Sequence, residues 1–185
     1  MAVARWKNVF VLCTGRCGST TFVKAASHAR NYSAGHETRT HLTGAARFAY
    51  PSYHIEADNR LTWLLGRLER AFGQEALYVH LTRAQEDVAA SFVKRADKGI
   101  MLAYRTEILM RAAWRNRGAT LEDLALDYID TVTTNIRVFL RDKPHTLAVR
   151  LEDAEQDFAA FWEIAKLDGD LDKALSEWRI RYNSS

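Results

Sequence analysis

The stretch VFVLCTGRCGSTTF, from Val9 to Phe22, carries the residue types best suited to chemistry. An apolar run ends in Gly15 and Gly18, with Arg16 and Cys17 between them, and three hydroxyl residues follow: Ser19, Thr20 and Thr21. A helix that starts at the hydroxyls leaves its first N–H groups without intrahelical acceptors, and its dipole favours negative charge there. Arg16 adds a permanent cation with planar donors. The pattern predicts a strand, an anion-binding loop and a helix.

Spacing weighs against three familiar chemistries. An ATP or GTP loop reads G-x-x-x-x-G-K-[ST], but Gly15 and Gly18 stand only three positions apart and Ser19 occupies the lysine's place. A phosphatase loop of the form C-x5-R would use Cys13 as nucleophile, but position 19 is Ser, so no Arg lowers the thiol pKa or grips a phosphate. HETRTH, from His36 to His41, approaches a zinc-binding H-E-x-x-H, yet its second His falls five residues on, about 140° around a helix from the first. No metal site is expected.

A second set follows in YVHLTRAQEDVAASF, where Arg83 comes directly after an apolar run and Ser91 eight residues later. If both runs are neighbouring parallel strands, two anion grips face one cleft and suit a ligand with two separated anionic groups. A proton acceptor is available in SAGHETRTHLT, where Glu37 stands with His36, Arg39 and His41. His54, in YPSYHIEADNRL, is the rival base, read at the end of a second strand; Arg60 is a weaker candidate.

These positions need a frame. NVFVLCT, NYSAGHE, ALYVHLT and HTLAVRL read as strands, the first and third as buried runs. Helices are predicted from Ser19 to about Arg30, over Leu61 to Phe72, around Asp87 to Val93, from Met101 to Arg115, from Leu121 to Leu140, around Phe158 to Ala165 and around Leu171 to Trp178. Alternating strands and helices predict one α/β domain over residues 1–185, a P-loop-like three-layer fold with a mostly parallel sheet. In such sheets ligands lie beyond the carboxyl ends of the strands, and the Gly15–Thr21 loop sits at such an end. The net charge of +3 is too slight for a dedicated nucleic-acid binder. No segment reaches the roughly 18 apolar residues of a membrane span. The N-terminal apolar run is short for a signal segment, and two nearby cysteines form no disulfide framework. A cytoplasmic protein is expected.

TGRCGSTTF and VHLTRAQEDVAASF together resemble the sulfotransferase superfamily, whose donor is 3′-phosphoadenosine 5′-phosphosulfate (PAPS) and whose product is the bisphosphate PAP. LAVRLEDAEQDFAAFW is similar to that family's late strand, Glu-Asp turn and helix, so the resemblance covers most of the chain. It implies that Arg16, Cys17, Gly18, Ser19, Thr20 and Thr21 hold the 5′-phosphosulfate, and that Arg83 and Ser91 hold the 3′-phosphate. GHETR resembles the GEETR of protein-tyrosine sulfotransferases, which implies Glu37 as base and Arg39 in the active site. His54 falls roughly where steroid and phenol sulfotransferases carry a catalytic His. His36 and His54 are further candidates for contact with the acceptor, a small-molecule, glycan or peptide hydroxyl. The chain departs from the family in having Gly15 where Pro is frequent, and in lacking the Gly-rich C-terminal donor motif. An atypical kinase and a non-catalytic nucleotide-binding module are the alternatives.

Overall fold

The structure is a computed structural model, and it describes residues 5–110, 118–180 and 182. Its centre is a five-stranded sheet of β1 (Asn8–Leu12), β2 (Ser33–His36), β3 (His54–Ala57), β4 (Leu77–Thr82) and β5 (Thr146–Arg150), in the order β2-β3-β1-β4-β5. Every pairing is parallel. β1 lies in the middle with all five residues buried, which is why residues 9–12 are apolar without alternation.

Helices cover the sheet: α1 (Ser19–Ala26), α2 (Leu65–Phe72), α3 (Gln85–Val93), α4 (Gly99–Ala103), α5 (Leu121–Leu140), α6 (Ala154–Ala165) and α7 (Leu171–Ser176). The α5 stripe predicted from Leu124, Tyr128, Val132, Ile136 and Phe139 is buried as far as Ile136 and half-buried at Phe139, and Thr120 opens that helix in a reciprocal capping box with Asp123. Phe22 of α1 packs edge-on against Phe158 of α6, with ring centroids 5.1 Å apart. On the opposite flank Phe10 meets Phe72 of α2 at 4.6 Å.

Several boundaries differ from the sequence reading. α1 stops at Ala26, short of Arg30. Residues Asn59–Trp63 form a 3-10 turn ahead of α2, because the Asp58 side chain accepts the Arg60 N–H and tightens the chain there. The helix predicted from Met101 to Arg115 is instead α4 followed by a π-helical turn over Tyr104–Ile108; its remainder beyond Met110 lies outside the described residues.

Register fixes where the site lies. Val11 pairs with Ala57, Leu12 with His80, His36 with Ala57 and Thr82 with Arg150. The carboxyl ends of the strands therefore share one edge. The segments that leave that edge begin at Cys13, Glu37, Asp58 and Arg83.

Candidate functional site

The loop after β1 turns in left-handed backbone three times, at Gly15 (φ 86°), Arg16 (φ 61°) and Gly18 (φ 88°). Arg16 accepts a conformation that glycine adopts freely and other residues seldom do. Gly18 caps α1, and its carbonyl accepts the Phe22 N–H at 2.9 Å. A Cβ on Gly18 would meet Leu151 Cδ1 at 2.8 Å, and the positive φ at this position favours glycine in its own right. From below, the buried Tyr128 hydroxyl of α5 donates to the Thr14 carbonyl at 2.7 Å. Burial pushes that hydroxyl's pKa up, which keeps it a donor.

The loop, the ends of β2 and β3, and the junction of α3 with α4 enclose a cleft of about 310 Å³. Its lining includes Arg16, Ser19, Thr20, His36, Glu37 and Arg60. Glu37 stands in left-handed backbone (φ 54°), with its N–H bonded to the Ala57 carbonyl at 3.0 Å and its carboxylate against Arg60 at 2.6 Å. His36 Nε2 lies 2.9 Å from Ser19 Oγ, which joins β2 to the loop. Arg16 Nε donates to Ser91 Oγ at 2.8 Å. Burial first, then Arg95 and Arg83, lowers the Arg16 pKa. The loop thus concentrates positive charge, the electrostatic setting an anion relieves.

The turn that carries Glu37 rests on a buried carboxylate. Glu56 of β3 has no solvent exposure. It accepts the Thr38 N–H at 2.7 Å and the Thr38 hydroxyl at 2.8 Å, and its Oε2 lies 2.9 Å from His54 Nε2. Gly35 leaves the space: a Cβ there would stand 2.4 Å from Thr38 Cγ2 and 2.9 Å from Glu56 Oε2.

The predicted residues divide accordingly. Arg16, Ser19, Thr20, His36 and Glu37 come together around the cleft, and Ser91 touches it through Arg16. Arg83 is beside the loop, with Nη1 3.4 Å from the Arg16 carbonyl, and pairs with Asp87 at 3.2 Å. The two grips expected to be separate are therefore joined at Arg16. Thr21 is buried. Cys17 is buried as well, its thiol donating to the Gly15 carbonyl at 3.2 Å and lying 3.0 Å from Thr14 Oγ1. Burial pushes the Cys17 thiol up to about 11, and the Cys13 thiol is raised further. Arg39 is turned away, donating to the Ala46 carbonyl at 2.8 Å and lying over Tyr50.

His54 was expected at a strand end near the cleft, and the structure places it elsewhere. It opens β3, in register with Asn8 at the start of β1 and so at the amino edge of the sheet. There it is buried, with Nδ1 2.8 Å from Ser33 Oγ and Nε2 on Glu56. Parallel pairing puts the length of β3 between this ring and the loop.

Three polar lining residues escaped the sequence reading, Asn59, Arg95 and Lys98, as did the neighbouring Phe92, Gly99 and Ile100. Asn59 follows β3 and packs on Gly15, where a Cβ would approach Asn59 Nδ2 to 2.8 Å. Arg95 stands two positions after the end of α3, in the turn that leads to α4.

No helix among the described residues is long and apolar enough to cross a membrane. No protein-family model and no curated protein sequence matches the chain. Among solved structures, it is similar to the shikimate kinase of Bacteroides thetaiotaomicron, with a TM-score of 0.47 and 14% identity over 87% of this chain and 99% of that one.

Proposed function

We propose that the chain is a sulfotransferase that moves a sulfuryl group from PAPS to an acceptor hydroxyl. The observation that supports this most is that one cleft is shared by an Arg-bearing, Lys-free anion loop and by the carboxylate of Glu37. The donor supplies the sulfuryl group and a phosphate leaving group. The first N–H groups of α1, with Ser19 and Thr20, receive its 5′ end. The acceptor hydroxyl gives its proton to Glu37 as its oxygen bonds to sulfur. The bond from sulfur to the bridging oxygen breaks, and Arg16 stabilises the electron pair left on that phosphate oxygen. Arg60 orients Glu37, and His36 orients Ser19. Arg83 and Ser91, both in contact with Arg16, are assigned to the 3′-phosphate, which would take the place of Asp87 on Arg83. Arg39, turned onto the Ala46 carbonyl, and His54 have no part in the transfer. Transfer needs no metal in this scheme.

A second reading is a P-loop kinase for a nucleotide or small molecule. Ser19, the first residue of α1, favours it, since kinase loops place a Ser or Thr at the opening of the following helix. Against it, the loop has no Lys and Glu37 is the sole carboxylate among the lining residues. A non-catalytic nucleotide-binding module would not need Glu37 facing the loop.

Calorimetry with PAP, ATP and sulfate separates the first two, and transfer of labelled sulfate from PAPS to a panel of phenols, peptides and sugars separates an enzyme from a binding module. The sulfotransferase reading expects PAP to bind without added metal and more tightly than AMP, and Arg83→Ala to remove that preference. Binding of ATP with Mg²⁺ in place of PAP would support the kinase. Equal affinity for PAP and AMP would sink the assignment of Arg83.

A further inference from the structure

We infer, on the basis of the sulfuryl-transfer reading, that the acceptor carries an anionic group of its own and that Arg95 and Lys98 hold it. Four cationic side chains line the cleft, Arg16, Arg60, Arg95 and Lys98, against the one carboxylate of Glu37. Arg60 is matched by Glu37 at 2.6 Å, and Arg16 belongs to the donor loop. Arg95 and Lys98 rise from a different wall, the short junction between α3 and α4. No carboxylate among the described residues pairs with either. Arg95 is close enough to Arg16 to disfavour its charged form, so the wall and the loop repel until anions enter. One anion on the loop leaves the α3–α4 wall unmatched.

The same wall presents Phe92 and Ile100 to the cleft. An apolar or ring-shaped body fits there, between the hydroxyl that faces Glu37 and the anion at Arg95 and Lys98. The acceptor class is a hydroxylated acid: a sugar or phenol bearing a carboxylate, phosphate or sulfate.

The test uses the full chain, labelled PAPS and acceptors matched except for charge: methyl glucoside against methyl glucuronide, and 4-methylphenol against 4-hydroxyphenylacetate. In each pair the acid should be preferred by about tenfold or more in kcat/KM. The double variant Arg95→Gln/Lys98→Gln should lose that preference while still favouring PAP over AMP. In parallel, phosphorus NMR should show inorganic phosphate binding to PAP-saturated wild type but not to the double variant. Three results would overturn the inference: equal use of the neutral and acidic partners, no phosphate binding beside PAP, or a double variant that no longer distinguishes PAP from AMP. The last would place the two cations on the donor. Failure to bind PAP at all would remove the sulfotransferase reading itself.

Discussion

Glu37 and Arg16 face one cleft but should fail differently when altered. Glu37→Gln keeps the shape of the turn and removes the proton acceptor, so the transfer rate should fall by roughly 10²–10⁴ with donor affinity nearly unchanged. Arg16→Ala removes a transition-state donor, worth about 10²–10³ in rate, and also frees Ser91 from its 2.8 Å contact. Donor affinity should therefore fall together with rate. Single-turnover transfer of labelled sulfate, with calorimetry for PAP, reads both signatures. Full activity in Glu37→Gln would end its role as base. The cysteines make a contrasting case. Both are buried, and a thiol raised to about 11 holds almost no thiolate at neutral pH. Replacing Cys13 and Cys17 by Ala should leave turnover within about tenfold, a span of about 1.4 kcal/mol. Trapping of a covalent Cys13 adduct by mass spectrometry would refute that.

At the scale of elements, β2 and β3 serve Glu37 through Glu56. Its two oxygens hold the Thr38 N–H and hydroxyl, so the left-handed turn at Glu37 is fixed from behind. Glu56→Gln would set an amide donor against those donors and leave one buried group unpaired, a loss of about 1–3 kcal/mol. The rate should fall while PAP affinity holds, because the donor loop follows a different strand. Normal kcat with lowered stability alone would make Glu56 purely structural. This device was not legible in the sequence. HIEA reads as a weak strand because two of its four residues are polar, although all four are buried. Apolar periodicity therefore gave no clear start for β3, and His54 was read at the wrong end of it. The β1 and β4 runs, by contrast, announced both themselves and the loops beyond them. Arg95 and Lys98 were missed for a related reason. Cations near a helix end usually face water, and only the break after α3 and the start of α4 at Gly99 turn them toward the cleft.

Across the whole molecule, the sheet that aligns the loop with Glu37 also carries an acid-sensitive group. His80 lies in β4 between Leu12 of β1 and Ala148 of β5. Burial, aided by Arg137, lowers its pKa from the ordinary 6.5 to about 4. The folded protein thus holds a neutral ring while the unfolded chain protonates near pH 6.5. Between these values the unfolded state binds more protons, so stability falls as pH drops through that window. The contribution is complete above pH 6.5, is lost by about pH 4, and is on the order of 3 kcal/mol at most. His80→Phe keeps a ring in the sheet and removes the titration. Urea unfolding at pH 7, 5.5 and 4.5 should show a smaller fall for the variant than for the wild type. Carboxylates titrate in both proteins and cancel in the difference. Parallel curves would show that His80 is not held neutral. A shallower curve for the variant would assign part of any acid loss of transfer activity to unfolding of the central sheet rather than to the chemistry of the cleft.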